Sequence, residues 1–329
     1  MDKPESSCAI LSKLNLYDVE KVVKETYHED GPGRPPRKPM GIFKALMVKR
    51  LQQIPSEREL CRRLWKDDNL RELCDIEAEQ NPYHPSQLSR FKKRVGARRL
   101  QRIMNKLLKE LLRGGVINGE TVVLDATFIK AYSRRDPHEN SRGKSDPEAR
   151  VGRNGRTYEL GYKLHVAADA KSELPLAVIA ASANENEKKH SLNLLEKTKT
   201  ILKRSAATLR SVIADSQYSD SKLRNAVGEA VIPYPANQKR GVKGILRVDK
   251  KFRTYGPEDQ KREYHKRPHI EAVYSFLKTQ YSLAVNKVRG LRNVTSYALY
   301  SLLCLVLNRE AAENLGRPDK AVSPTFFNT

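Results

Sequence analysis

The chain has 329 residues, with 62 Lys and Arg against 39 Asp and Glu, which gives a formal net charge of +23. This length is sufficient for two domains with a substantial core, and the positive excess favours a polyanionic partner, most commonly nucleic acid. The polar opening MDKPESSC does not resemble a secretory signal, and the longest apolar run, 298–307, is too short to cross a bilayer.

The N-terminal third has the pattern of a series of short helices. Apolar residues recur at helical spacing over 40–54, and Ser56 with Glu59 forms the capping box of a following helix. That helix contains Trp65, which we expect in the core of this region. Further helices are predicted over 68–74, 86–95 and 97–113, and Gly114-Gly115 ends the last of them.

The helix over 86–95 resembles the reading helix of a helix-turn-helix module. The segment 86–113 is rich in Lys and Arg, and Glu110 is its only acidic residue. Such cations mostly contact phosphates, which gives affinity without sequence information. A solvated face on a scaffold helix is the alternative. The predicted DNA contacts are Arg90, Lys92, Lys93 and Arg94.

A β-strand is predicted over 122–133, where apolar and β-branched residues surround Asp125. A buried carboxylate without a partner is costly, so Asp125 should lie at a strand edge, in a salt bridge or at a metal. A structural salt bridge is the less specific interpretation. Residues 133–157 are polar and contain Gly and Pro, which predicts a long mobile loop that could clamp DNA.

A second acidic residue follows a short strand later in the chain. Strands over 158–168 and 174–183 complete an antiparallel meander, and a helix follows over 184–204. The apolar strand 212–214 then runs directly into Asp215. The carboxyl end of a strand beside a crossover helix is where α/β folds usually place their chemistry.

The stretch from Tyr264 to Lys278 contains a third acidic residue. Pro268 suits the first position of a helix, so a helix should begin there with Glu271 in its first turn. Tyr264 and Arg267 then lie on the segment leading into the helix, and Lys278 shares a face with Glu271. An ordinary amphipathic helix is the alternative. Its apolar stripe would be Ile270, Val273, Tyr274, Leu277 and Tyr281.

The cysteines, two histidines and two aromatic residues could also carry a function. The four cysteines are scattered without a C-x-x-C pair, which fits reduced thiols in a cytoplasm and gives no zinc site. His165 and His190 are interpreted as structural residues. Phe252 and Tyr255, among basic residues, could stack on a displaced base or anchor a loop.

The order of elements predicts an α/β fold: a ribonuclease H-like mixed sheet flanked by helices, preceded by an all-α, helix-turn-helix-like domain. We divide the chain into a helical N-terminal DNA-binding domain over 1–115, a catalytic domain over 116–311 and a flexible tail over 312–329.

This layout would bring Asp125, Asp215 and Glu271 to one rim of the sheet. Three carboxylates there would repel one another unless cations lay between them. Magnesium suits oxygen ligands, and two such ions can flank a phosphodiester.

The chain resembles the DDE-type insertion-sequence transposases. The segments VVLDATFIKA and VIADSQYSD resemble the first-Asp and second-Asp segments of that family. Tyr264, Arg267, Glu271 and Lys278 match its Y-x2-R-x3-E-x6-K signature at every position. The resemblance implies that Glu271 and the two Asp residues hold Mg²⁺, with Mn²⁺ as a substitute. It also implies that Arg267 and Lys278 contact phosphates and that Tyr264 positions the strand.

The same resemblance implies a reaction and its partners. Hydrolysis at a transposon end would free a 3′-hydroxyl, which then attacks target DNA. We expect double-stranded DNA as partner, a homodimer or larger assembly at the synapsed ends, and a cytoplasmic, nucleoid-associated location. A decayed copy that only binds DNA and a stand-alone nuclease on the same fold are the alternatives.

Overall fold

The structure is a computed structural model that describes residues 10–12, 14–27, 37–203, 207–235, 237, 245–249, 251 and 253–321. Phe252 and residues 322–329 of the predicted tail lie outside the described residues. Two compact units are present: the first is drawn from 1–107, 276–285 and 295–329, and the second from 108–275 and 286–294. The predicted domain boundaries at 115 and 311 stay predictions.

The described residues of the N-terminal region, 10–12, 14–27 and 37–113, are mainly helical, as the sequence predicts. The Ser56 hydroxyl accepts a hydrogen bond from the Glu59 amide at 3.1 Å. This bond caps the N-terminus of the helix that begins at Glu57, as the capping box predicts. Gly96, at φ +58°, interrupts the long last helix, because a residue with a side chain rarely adopts that backbone conformation. The helices are α1 (Tyr17–Lys24), α2 (Pro39–Leu51), α3 (Glu57–Lys66), α4 (Asp68–Leu73) and α5 (Pro85–Arg113).

The predicted core position of Trp65 is wrong, because 59% of its surface is exposed. Helix α3 buries Leu60, Cys61 and Leu64 on one face. Each residue of an α-helix turns by about 100°, so Trp65 lies well away from the centre of that buried face. The large apolar side chain of Trp65 favours burial, but its angular position on α3 keeps it off the buried face.

A mixed, six-stranded sheet is the centre of the second unit. Antiparallel pairing joins β1 to β3 and β3 to β4, whereas β5 lies parallel to β1 and β6 lies parallel to β5. This is the predicted ribonuclease H-like arrangement. The strands are β1 (Thr121–Lys130), β2 (Arg150–Asn154), β3 (Thr157–Asp169), β4 (Pro175–Ser182), β5 (Ser211–Ala214) and β6 (Glu229–Val231).

Strand β2 corrects one expectation, because residues 150–154 were assigned to the end of a mobile loop. Instead β2 forms a hairpin with the start of β3, in which Asn154 pairs with Thr157. The turn contains Gly155 at φ +59°. The two central residues of this turn are Gly155 and Arg156. Glycine at the first central position is a signal for such a two-residue turn, and the polar composition of the loop concealed it. Whether the rest of the loop clamps DNA stays a prediction.

The remaining elements flank the sheet or follow it in the chain. Helix α9 begins directly after Pro268, and its predicted apolar stripe is buried. Tyr264, however, ends a helix of its own rather than lying on an irregular lead-in, because acids at the start of 258–264 and bases at its end favour a helix. These elements are α6 (Lys188–Lys203), α7 (Ser221–Asn225), β7 (Arg247–Val248), β8 (Thr254–Tyr255), α8 (Glu258–Tyr264), α9 (His269–Thr279) and α10 (Leu291–Asn314).

Among the described residues, no helix combines the length and apolar character needed to cross a bilayer.

Candidate active site

The sheet register brings the first two predicted acids side by side in the second unit. Leu124 of β1 pairs with Ala214, the last residue of the parallel strand β5. Asp125 and Asp215 are the next residues on each chain segment, so they lie level with one another. Neighbouring strands are about 4.8 Å apart, which puts the two carboxylates within interaction distance. Asp125 is 7% exposed.

The proximity and burial of these acids perturb their protonation. Burial raises the pKa of Asp125 to about 7, with the charge of Arg267 opposing the rise and that of Asp215 adding to it. Burial also raises the pKa of Asp215, and Arg267 again opposes the rise. Two neighbouring carboxylates with raised pKa values, one buried and one half-buried, form an environment that favours the binding of a cation.

A short 3-10 turn fixes the second acid. The Asp215 carboxylate accepts a hydrogen bond from the Gln217 amide at 2.8 Å, and Tyr218 at the end of the turn is fully buried. The Tyr218 hydroxyl shares a hydrogen bond of 2.9 Å with Nδ1 of His165. Since His165 pairs with Ala126 on β1, this contact ties the turn after β5 to the strands around the first acid.

The two histidines predicted to be structural lie next to each other, with His165 buried and His190 half-buried. The rings of His165 and His190 lie 4.8 Å apart, and burial lowers the pKa of His165 to about 3, so it is neutral near pH 7. His190 lies 3.4 Å from a carboxylate oxygen of Glu185. The structural roles of both histidines stay a prediction.

Arg267 lies between the first and third acids. Its Nη2 is 3.6 Å from Oδ1 of Asp125, and its Nη1 is 3.3 Å from Oε1 of Glu271. The Glu271 side chain is 60% exposed, whereas that of Arg267 is 21% exposed. Burial raises the pKa of Tyr264, with Arg267 opposing the rise and the charges of Asp215, Asp125 and Glu271 adding to it. Tyr264 therefore belongs to the same cluster.

The acids do not form a ready three-ligand cage. Within the part of the chain that the structure describes, no three Asp, Glu, His or Cys side chains are grouped so that they could hold a metal ion. Asp125 and Asp215 are direct neighbours, and Glu271 is joined to Asp125 through Arg267. Lys278, seven residues after Glu271 on α9, belongs to the first unit, and burial lowers the pKa of its ammonium group.

Glu187 is a fourth acid near the pair that the sequence analysis missed. It is 8% exposed, directly precedes α6 and forms an ion pair of 3.1 Å with Lys163 on β3. Burial and the charge of Asp215 raise its pKa, which Lys163 opposes. In the sequence nothing distinguishes Glu187 from Glu185, but a lysine inside an apolar strand was a usable signal.

The predicted DNA contacts of α5 differ in how their side chains are engaged. Lys92 forms an ion pair with Glu57. The Arg94 guanidinium lies 4.6 Å from the centre of the Tyr27 ring. Arg90 donates a hydrogen bond to the Ser86 hydroxyl at 3.2 Å. Lys93 is exposed.

Tyr255 acts as a loop anchor in this structure. Its hydroxyl donates to the Asp249 carboxylate at 3.3 Å, and the Arg253 guanidinium lies 5.9 Å from the ring centre. Of the two interpretations of this tyrosine, the contacts favour the loop anchor over base stacking.

Two protein-family models match the chain. The model described as Transposase DDE domain matches residues 118–307, and the model described as Transposase domain (DUF772) matches residues 3–94. The first match covers more than half of the chain and includes Asp125, Asp215 and Glu271.

Solved structures of transposases are also similar to this chain at low identity. A piggyBac transposase synaptic complex with hairpin DNA matches with a TM-score of 0.45 and 11% identity, over 97% of this chain and 77% of that chain. The Mos1 transposase paired-end complex with the left transposon end matches with a TM-score of 0.24 and 11% identity, over 87% and 82%. The Mos1 mariner paired end complex with Mn matches with a TM-score of 0.24 and 10% identity, over 95% and 98%.

Proposed function

The chain belongs to the transposase DDE domain family, and from that premise we propose that it cuts DNA at the ends of an insertion sequence and joins those ends to target DNA. A DDE transposase is a metal-dependent phosphoryltransferase that acts in DNA transposition. The observation that carries the assignment of the reacting centre is the side-by-side arrangement of buried Asp125 and half-buried Asp215, which directly follow the paired residues Leu124 and Ala214 of two parallel strands.

The proposed metal ligands are Asp125, Asp215 and Glu271. The donor set fits a divalent cation, because carboxylate oxygens suit Mg²⁺ and Mn²⁺ and the two neighbouring Asp residues have raised pKa values that a bound cation would lower. When bound, such ions activate the attacking oxygen and stabilise the leaving oxygen of a phosphodiester. Glu271 is exposed, so its carboxylate is free to turn between Arg267 and an ion.

Three other side chains have proposed roles in holding DNA. Arg267 would grip a phosphate near the cut, because its planar guanidinium can form two parallel hydrogen bonds to phosphate oxygens. Until DNA binds, Asp125 and Glu271 provide its anionic partners. Lys278 would supply a further positive charge to the backbone, and Tyr264 would help position the strand.

The partner is proposed to be double-stranded DNA, both at the element ends and at the target. The net charge of +23 supports it, since cations that neutralise phosphates release counterions and give affinity. We assign end binding to 1–115, with Arg90, Lys92, Lys93 and Arg94 as candidate contacts, and catalysis to 116–311. Two ends must be cut together, which favours a homodimer or larger assembly located with the cell's DNA.

A supercoiled plasmid that carries the element ends tests this function. With Mg²⁺ or Mn²⁺ the wild-type protein should nick the plasmid and join the ends to target DNA. Asp125→Ala, Asp215→Ala and Glu271→Ala should each abolish both steps. Glu120→Ala is the matched control, because this acid is exposed and pairs with Arg210 at 3.7 Å; it should retain activity.

The same assay separates the alternatives. Cutting without joined products would indicate a stand-alone nuclease. DNA binding with no cutting in either metal would indicate a decayed copy. Equal activity in the wild type and the three variants would refute the assignment of the site.

A further inference from the structure

Helix α3 has an exposed face whose residues have no role in the function proposed above. Trp65, the single tryptophan of the chain, is 59% exposed on this helix. Arg58, Arg62 and Lys66 are exposed as well. Arg58 lies seven residues before Trp65, Arg62 three residues before it and Lys66 one residue after it. At this spacing the four side chains share one face of the helix. The buried face, with Leu60, Cys61 and Leu64, lies on the opposite side.

The acids of α3 are already neutralised by partners in the first unit. Glu57 forms an ion pair with Lys92. Glu59 lies 3.3 Å from Arg62 and 3.7 Å from Arg63. Arg58 and Lys66, in contrast, form no ion pair with any residue in the described ranges.

The exposed face of α3 is therefore cationic. Asp68, an exposed acid at the start of the next helix, α4, lies 4.0 Å from Arg71.

We infer that this face, defined by Arg58, Arg62, Trp65 and Lys66, is a contact surface for duplex DNA. The inference rests on the proposed function and specifies which helix grips the DNA. Cations at both ends would contact phosphates, and the indole would pack on the sugars or base edges between them.

The dimensions of the face fit a groove of B-DNA. Arg58 and Lys66 are eight residues apart, which is about 12 Å at 1.5 Å per residue. The major groove is also about 12 Å wide, so the two cations can reach phosphates on opposite sides of one groove. A complementary charge and a matching span favour DNA over a protein partner.

The contacts of the α5 cations also favour α3 as the helix that binds DNA. Of the four cations predicted to read DNA, Lys92 is ion-paired, Arg94 stacks on Tyr27 and Arg90 is hydrogen-bonded within the helix, which leaves Lys93 as the exposed one of the four without such a contact among the described residues. Breaking such contacts costs free energy at the moment of binding. Arg58 and Lys66 have no such contact to break within the described residues, so they are better disposed toward phosphate.

The single tryptophan makes the surface directly observable. Full-length protein in EDTA is titrated with a 30-base-pair duplex while tryptophan fluorescence is recorded, and the anisotropy of a labelled copy of the duplex reports binding independently. We expect the Trp65 emission to be quenched, with saturation at the same DNA concentration as the anisotropy. Full binding with unchanged emission overturns the α3 surface and leaves the proposed function intact. Absence of binding overturns both.

Charge variants give a second, quantitative readout. Arg58→Ala/Lys66→Ala should weaken binding about tenfold at low salt and reduce the slope of log affinity against log salt by about two, because two phosphate contacts are lost. The comparison variant is Arg90→Ala/Lys93→Ala on α5, for which a smaller loss is expected. A larger loss from the α5 variant than from the α3 variant overturns the inference.

A second copy of the chain is the competing occupant of the surface. Dilution of the protein without DNA distinguishes it, since self-association through Trp65 would shift the emission with protein concentration alone. A concentration-independent emission spectrum supports the DNA surface.

Discussion

Replacement of Asp125 by Asn should stabilise the metal-free protein at alkaline pH. The buried carboxyl of Asp125 has a pKa raised from 3.8 to about 7, so folding favours its protonated form. Its contribution to the free energy of unfolding is fully present below pH 3.8 and is lost as the pH rises through about 7. Asn is neutral at every pH and has nearly the same shape, so it does not suffer this loss.

The size of the effect follows from the shift in pKa. One pKa unit corresponds to about 1.4 kcal/mol, so the full rise to about 7 corresponds to about 4 kcal/mol above pH 8. Wild type and Asp125→Asn should therefore have similar stability near pH 4. At pH 8.5 the variant should be more stable by up to about 4 kcal/mol, even though the contact of Asp125 with Arg267 is altered.

Urea unfolding in EDTA at pH 4.5, 6, 7 and 8.5 measures this difference, because all other ionisable groups are common to both proteins. Asp68→Asn, at an exposed carboxylate, is the matched control and should follow the wild type at each pH. Addition of Mn²⁺ at pH 8.5 should stabilise the wild type more than Asp125→Asn. Parallel pH curves for wild type and Asp125→Asn would refute the reasoning.

Two further substitutions test the packing around the site and in the first unit. Tyr218→Phe removes the hydrogen bond to His165, so the turn that carries Asp215 should become less rigid. The Mn²⁺ concentration for half-maximal cutting should therefore rise while the affinity for DNA is unchanged. An unchanged Mn²⁺ requirement would count against a role of Tyr218 in positioning Asp215. Gly41→Ala should cost more than about 2 kcal/mol in urea unfolding, because an added Cβ would lie 2.1 Å from the Cys74 carbonyl oxygen. Gly114→Ala, where the nearest atom is 3.5 Å away, should be close to neutral, and equal losses would contradict the steric argument.

Much of the fold could be predicted from local patterns. The capping box at Ser56, the interruption at Gly96 and the start of α9 after Pro268 follow from rules that involve a few neighbouring residues. The strands around Asp125 and Asp215 follow from short apolar runs. Their order along the chain was sufficient to predict the ribonuclease H-like arrangement.

The errors arose where a residue was judged by its type alone. Trp65 was assigned to the core because it is large and aromatic, but the phase of Leu60 and Leu64 on α3 turns it to solvent. The polar composition of residues 150–154 predicts a loop, but a turn made of Gly155 and Arg156 pairs them with β3. The sequence contained a signal for each outcome: the helical phase of the apolar residues of α3, and the glycine in the turn between β2 and β3.

The sequence by itself determined which elements form and that three acids are candidates for one site, because period, caps and turns are local properties. Only the tertiary structure decided which charges meet: Arg267 with Asp125 and Glu271, Glu187 with Lys163, and Lys92 with Glu57. The partners in most of these pairs are tens of residues apart or more. Their meeting depends on strand register, helix packing and side-chain direction, which no local pattern encodes.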